Sequence, residues 1–395
     1  MIDPVAGMHL SLGKVRSTRP FIIQQVTAFK NPNHLRRRLQ DLSFILSARC
    51  TSTRGVSTQC AVSKRKEART ARTSWDFSKS STSTSDYQPP RSGLLSHLPA
   101  SWVPFAELMR LDKPAGTLYL FFPCFFSTLL AACHTAAPVT LVLTQSALFL
   151  TGALIMRGAG CTVNDLWDRK LDPHVTRTRL RPIARGAVTP FHASAFAGFQ
   201  CLAGLGVLIQ FPTTCLGYGI PSLLLVATYP LAKRITHYPQ FILGLTFSWG
   251  AIMGFPALDV DLFVDRTCLQ AVAALYGSCV SWTVLYDMIY AHMDIKDDVK
   301  IGIKSIALRH EHETKMVLSG LATVQISLLA AAGVALDLNP LYFVSSCGSA
   351  ALSLGLMIWR VRLGEPANCL WWFTNGAIFT GGGISCGLLA EYLLT

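Results

Sequence analysis

From Gly116 to the C-terminus the chain returns repeatedly to apolar stretches close to the ~20 residues a helix needs to cross a bilayer. Lipid offers the backbone no hydrogen-bond partner, so each segment must satisfy its own N–H and C=O groups, and segments of this length do so as helices. The expected fold is therefore all-α, a polytopic transmembrane helical bundle of about nine spans. They are read near 116–133, 139–160, 192–210, 214–231, 238–258, 268–290, 316–336, 340–358 and 371–393. The fourth is short, and Pro212, Pro221 and Pro230 blur its ends. With 51% hydrophobic and only 14% charged residues, the composition belongs to a membrane protein.

The first ninety residues are of another kind. They hold fifteen Lys and Arg against five acids, a net +10 of the whole chain's formal +13. An Arg-rich, Ser/Thr-rich, acid-poor leader has the composition of a mitochondrial transit peptide, and Leu35 to Leu46 can form a short amphipathic helix around its basic residues. The alternative is a basic tail lying on anionic lipid. No folded binding module accompanies these charges, so a nucleic-acid partner is not expected. The expected organisation is a transit peptide over 1–50, a basic and Ser/Thr-rich linker over 51–100, and a membrane domain over 101–395.

Two acidic clusters end long apolar segments, one from Asn164 to Asp172 and one from Asp287 to Asp298. Carboxylates beside a membrane core are costly and mark a functional site by default. Four crossings separate the clusters, so both emerge on one face, together with Arg110 and Lys233-Arg234. The loops of that face carry the run from Arg169 to Arg185, then Lys304, Arg309, Lys315, Arg360 and Arg362. The opposite loops offer Arg266 among Asp259, Asp261 and Asp265, then Asp337. The positive-inside rule makes the motif face the matrix or cytoplasmic one. On a helix, Asn164, Asp168 and Asp172 fall within an arc of roughly 80°, and Asp294 and Asp298 stack one turn apart. Such ladders of oxygen suit magnesium, which takes one or two carboxylates plus substrate phosphate oxygens. The plainer reading, acids that solvate helix ends and pair with nearby cations, explains one cluster better than two on one face.

The motifs Asn-Asp-x-x-Asp-x-x-x-Asp at Asn164–Asp172, Asp-x-x-x-Asp at Asp294–Asp298, and Tyr229-Pro230-Leu231-Ala232-Lys233 resemble the UbiA superfamily of intramembrane prenyltransferases, from about Trp102 onward. Leu108 to Thr117, Gly158 to Asp165, Arg177 to Pro182 and Tyr286 to Asp294 are similar to the branch that prenylates 4-hydroxybenzoate in ubiquinone biosynthesis. The chain departs from that branch at Met293, usually Gln, and Ile306, usually Thr. The resemblance implies a Mg2+-dependent enzyme of the mitochondrial inner membrane, with its site on the matrix face and membrane lipid around it. It would move a polyprenyl group from polyprenyl diphosphate to the ring carbon ortho to the 4-hydroxybenzoate hydroxyl, among other ubiquinone-biosynthesis enzymes. Asn164, Asp168, Asp172, Asp294 and Asp298 would hold magnesium, with Asp165, Asp287 and Asp297 behind them. Lys233, Arg177 and Arg181 would stabilise diphosphate charge, Arg110 would take the aromatic carboxylate or the outer phosphate, and Tyr229 and Tyr290 would shield an allylic cation or orient the acceptor.

Other constellations weigh less. The twelve cysteines contain no Cys-x-x-Cys and read as reduced small hydrophobes. His310-Glu311-His312-Glu313 reads as a solvated helix start, and Gly381-Gly382-Gly383 as a helix-packing surface. Two rival functions remain. A transporter should show internal repeats and midplane polar breaks, and a related prenyltransferase could alkylate another phenolic acid in a meroterpenoid pathway.

Overall fold

Every long apolar stretch forms a helix in the computed structural model of the chain, which describes residues 87–295, 299 and 304–394. The described residues contain no strand. A short helix α1 (Val103–Leu108) precedes α2 (Ala115–Thr135), α3 (Val139–Trp167), α4 (Pro190–Leu208) and α5 (Thr214–Ile235). Then come α6 (Pro239–Ala257), α7 (Arg266–Ala291), α8 (Thr314–Ala335), α9 (Pro340–Arg360) and α10 (Pro366–Leu394). Among the described residues eight helices are long and apolar enough to span a membrane. The helix α5 carries only a shorter apolar stretch, Thr214–Val226.

Local chemistry sets the ends. Proline, whose missing N–H costs nothing in a first turn, opens α4, α6, α9 and α10. Thr189 caps α4 by accepting from the His192 N–H at 3.3 Å, and Asp265 caps α7 by accepting from the Cys268 N–H at 3.0 Å. Ser248 and Trp249 interrupt α6. Both α9 and α10 loosen into a π turn, over Phe343–Cys347 and Ala377–Gly382.

The core lies around α2 and α7, where Phe126, Leu129, Leu130, Trp282, Leu285 and Met288 are buried. By contrast α4 exposes Phe191, Phe199 and Leu202, as a lipid-facing helix does. Close approach depends on glycine at two places. A Cβ at Gly254 would lie 2.3 Å from the Thr128 backbone nitrogen, and one at Gly381 would lie 2.4 Å from the Phe122 ring. The Gly381–Gly383 run therefore serves helix packing. His310–Glu313 forms the turn before α8, also as expected, and the described cysteines are free thiols.

The stretch expected as linker is packed at its described end. The Tyr87 hydroxyl donates to Glu107 Oε1 at 2.7 Å, the Arg185 guanidinium covers the Tyr87 ring at 3.8 Å, and Leu95 is buried.

Candidate active site

The first acidic cluster is assembled where α3 runs out. The span read as 139–160 continues two turns further, to Trp167, so Asn164 and Asp165 sit on the helix itself. Asp168 is the C-cap and Asp172 lies in a separate one-turn 3-10 helix, Asp172–His174, so the expected single helical ladder is corrected. The spacing survives in the backbone. The Asp168 N–H donates to the Asn164 carbonyl and the Asp172 N–H to the Asp168 carbonyl, both at 2.9 Å, so i to i+4 stacking continues past the helix end.

The second cluster begins where α7 ends. Helix α7 stops at Ala291 with His292 as its cap, and Asp294 lies in the following turn. His292 is buried, with Nδ1 against the Met288 carbonyl at 2.7 Å and Nε2 against Thr314 Oγ1 at 3.1 Å. It closes the turn and is not aimed at a ligand. Asp297 and Asp298 lie outside the described residues.

Arginines of the α3–α4 loop join the two clusters. Arg177 donates from Nε to Asp294 Oδ1 at 2.8 Å and from Nη2 to Oδ2 at 2.5 Å, a bidentate pair across 117 residues of chain. Its Nη1 also donates to the Tyr290 hydroxyl, with the guanidinium 4.8 Å from that ring. Arg181 reaches Asp165 at 3.0 Å and Asp172 at 3.1 Å. Arg110 donates from Nη2 to both Asp165 oxygens, at 2.7 and 2.8 Å, and from Nη1 to the Glu107 carbonyl at 2.8 Å. Asp294 thus contacts the loop that follows the first cluster, in keeping with the shared face inferred from loop parity.

Electrostatics separate the carboxylates. Asp165 is fully buried between two guanidiniums, which holds the α3 end against α1 and the loop. Burial raises the Asp172 carboxyl above its ordinary value; Arg181 opposes the shift and neighbouring Asp165 adds to it. Burial is the largest single influence and works against the Arg110 charge, but Asp165, Cys161 and Asp112 together outweigh it, so its pKa is raised. Arg110 also has φ 58°, a left-handed backbone that a bulky residue adopts only under constraint. Asp168, half-exposed at the helix end, has no ion pair among the described residues.

Tyr229 and Lys233 lie on the last two turns of α5, and their side chains fall outside the described set. The end of that helix is held at the site face, because Lys304 Nζ donates to the Ile235 carbonyl at 3.5 Å. Below the charges lies an aromatic layer. Tyr119 stacks on Tyr286 at 3.5 Å and donates to the Phe373 carbonyl at 2.8 Å, and the Phe373 ring packs 4.4 Å from Tyr290.

Arg157 was missed by reading loops and motifs alone. It precedes Asn164 by seven residues, which places it on the same face of α3 roughly 10 Å deeper. Its guanidinium packs against Gly116, where a Cβ would lie 2.5 Å from Nε, and 5.6 Å from the Phe247 ring. Its Nε is buried with no hydrogen-bond partner. The available signal was an arginine inside an apolar span, which by itself marks a candidate site.

All donors expected for the metal are oxygens, from four carboxylates and one amide. The four described ones, Asn164, Asp168, Asp172 and Asp294, belong to segments tied together by the two arginines, and that set suits a hard cation. A second group of ligand types, His134, Asp265 and Cys268, lies at the other end of the bundle. There the Asp265 carboxylate is committed to capping α7, and a helix N-terminus disfavours a cation.

Residues 120–380 match the UbiA prenyltransferase family. The mitochondrial 4-hydroxybenzoate polyprenyltransferase of Saccharomyces cerevisiae is 44% identical over 303 residues, covering 76% of this chain and 79% of that protein. The Homo sapiens protein of the same description is 44% identical over 267 residues, covering 67% and 69%. Among solved structures, a UbiA homolog from Aeropyrum pernix K1 superposes with TM-score 0.56 at 20% identity, over 70% of this chain and 97% of that one. A UbiA homolog from Archaeoglobus fulgidus bound to DMAPP and Mg2+ superposes with TM-score 0.54 at 13% identity, over 74% and 99%. The helical bundle, its joined acidic clusters and a match across most of the membrane domain agree, and the chain belongs to the UbiA prenyltransferase family.

Proposed function

We propose that the protein is a magnesium-dependent 4-hydroxybenzoate polyprenyltransferase of ubiquinone biosynthesis. It transfers a polyprenyl group from its diphosphate to the ring carbon ortho to the acceptor hydroxyl. The observation that supports this reading is the Arg177–Asp294 pair, which sets the second acidic segment against the loop that follows the first in a chain similar to 4-hydroxybenzoate polyprenyltransferases.

In the proposed site Asn164, Asp168, Asp172, Asp294 and Asp298 would hold magnesium, with Asp165 and Asp287 behind them. Bound magnesium supplies Lewis-acid stabilisation of the leaving diphosphate. Arg177, Arg181 and Lys233 would add positive charge where the departing oxygens gain negative charge. The allylic carbon to oxygen bond breaks, its electron pair leaves with the diphosphate, and a delocalised cation remains. Tyr290, Tyr286 and Phe373 offer ring faces beside that cation. The acceptor ring attacks through its ortho carbon and loses that proton to a site carboxylate or a diphosphate oxygen. Arg157, with an unpartnered buried N–H on the Asn164 face, is suited to the acceptor carboxylate. Arg110, engaged by Asp165, supports the site from behind.

The placement in the mitochondrial inner membrane, with the site facing the matrix, rests on the leader composition, the basic loops of the motif face and the description of the relatives. A site at the membrane surface lets the hydrocarbon polyprenyl tail stay in lipid while its diphosphate meets water.

The test is mutational. Asp168→Ala and Asp294→Ala should each lower kcat by at least about a thousandfold, and the double variant should lose far less than the product of the two. Multiplicative losses in steady-state assays with 4-hydroxybenzoate, a polyprenyl diphosphate and Mg2+ would count against a single shared site.

A further inference from the structure

We propose that the groove between α8 and α9 is a binding site for one anionic glycerophospholipid of the leaflet on the active-site face. It lies apart from the acidic clusters and has a volume of about 490 Å³. Lys315, Ala322 and Ile326 of α8 line one wall, and Ala351, Gly355 and Trp359 of α9 line the other.

Its shape fits a lipid chain. Small residues keep the two helices from filling the space between them, and a Cβ built on Gly355 meets nothing within 4 Å. From Lys315 to Ile326 the groove descends about 16 Å at the helical rise, close to half of a ~30 Å hydrocarbon core. It therefore runs the depth of one leaflet and opens at that leaflet's headgroup level.

Its charge selects the head. Lys315 Nζ donates to the Trp359 carbonyl at 3.2 Å, so the ammonium sits at the mouth with donors to spare. The Arg360 guanidinium lies 5.0 Å from the ring of Trp359, the residue whose carbonyl Lys315 engages. Neither cation has an ion-pair partner among the described residues, and both are exposed. A basic pocket between spans, with an indole at interfacial depth, matches a phosphodiester head that carries no cation of its own. A zwitterionic head would bring a second positive charge to the same mouth. The same argument disfavours a second copy of the chain, which by two-fold symmetry would set Lys315 and Arg360 against their own counterparts.

Native mass spectrometry of the full chain, released from micelles holding equal phosphatidylglycerol and phosphatidylcholine, tests the site. The wild type should retain one phosphatidylglycerol in preference to phosphatidylcholine. Lys315→Gln with Arg360→Gln should reduce that preference by about tenfold or more, at roughly fivefold per charge near a lipid surface. Gly355→Leu, which fills open space, should lower retention of both lipids while leaving the thermal midpoint of the wild type intact. Equal retention of the two lipids by the wild type would overturn the assignment, as would a preference that survives the charge substitutions. A wild-type dimer that Gly355→Leu converts to monomer would mean the groove seats another copy. If Gly355→Leu does not fold, the lipid preference of the wild type and its loss in the charge variant still decide the matter.

Discussion

Arg157 and Asp165 are the residues whose surroundings say most about their roles. Asp165 is closed in by Arg110 and Arg181, an arrangement that orients loops, whereas Arg157 keeps a buried N–H with no protein acceptor. Arg157→Gln is expected to raise KM for the aromatic acid by about ten- to a hundredfold, the loss of one or two charge-assisted hydrogen bonds, with little change in KM for the diphosphate. Initial rates with each substrate varied in turn measure the split, and Arg157→Lys should restore only part of it, because an ammonium cannot present a planar fork. At the other end of the bundle, the Cys268 N–H and thiol, with His134 beside them, hold the Asp265 carboxyl below its ordinary value. A depressed carboxyl contributes stability that is present above its unfolded value near 3.9 and is lost as pH falls through its folded value. Asp265→Asn keeps a capping acceptor but loses the charge, so it should unfold at a lower temperature than the wild type at neutral pH. In melting curves recorded against pH, that difference should start to shrink as pH falls below about 4 and vanish only below the depressed folded value.

Helix pairs carry the fold, and α2 and α6 approach closely. The Gly254 N–H donates to Ser127 Oγ at 3.1 Å, and any Cβ there would strike the α2 backbone. Gly254→Ala should cost about 1–3 kcal/mol through overpacking, visible as a lowered thermal midpoint in detergent. Gly198→Ala on lipid-facing α4, where a Cβ meets nothing within 4 Å, is the control and should be neutral or slightly stabilising. Span positions were legible because a period of ~20 apolar residues is imposed by bilayer thickness. Where α7 stops was legible to within a residue, but where α3 stops was not. The apolar span reads as ending at 160, yet α3 continues through Asn164 and Asp165 since nothing before Asp168 breaks a helix. Conversely α7 stops at Ala291, where His292 turns back onto Met288 and Thr314.

For the molecule as a whole, the proposed division of labour is a leader that directs import and a membrane domain that does the chemistry. A chain beginning at Tyr87 behind a foreign mitochondrial leader should retain turnover per inserted molecule, measured in isolated membranes. A chain beginning at Pro99 removes Tyr87 from Glu107 and Arg185, and Leu95 from its buried place, so it should be less stable with an intact site.

The amino-acid order alone determined the helical membrane fold, the shared face of the two acidic segments and the oxygen donors expected for magnesium. Each follows from local rules of hydropathy, crossing parity and ligand chemistry. Tertiary structure alone decided the partners of those donors. Arg177 and Asp294 are 117 residues apart in the chain, and no periodicity links them. The same holds for Arg157, whose importance depends on burial without an acceptor, and for the α8–α9 groove, which exists because small residues on two separate helices face each other. Such features arise from packing between distant segments, and packing is the term that a one-dimensional pattern leaves unspecified.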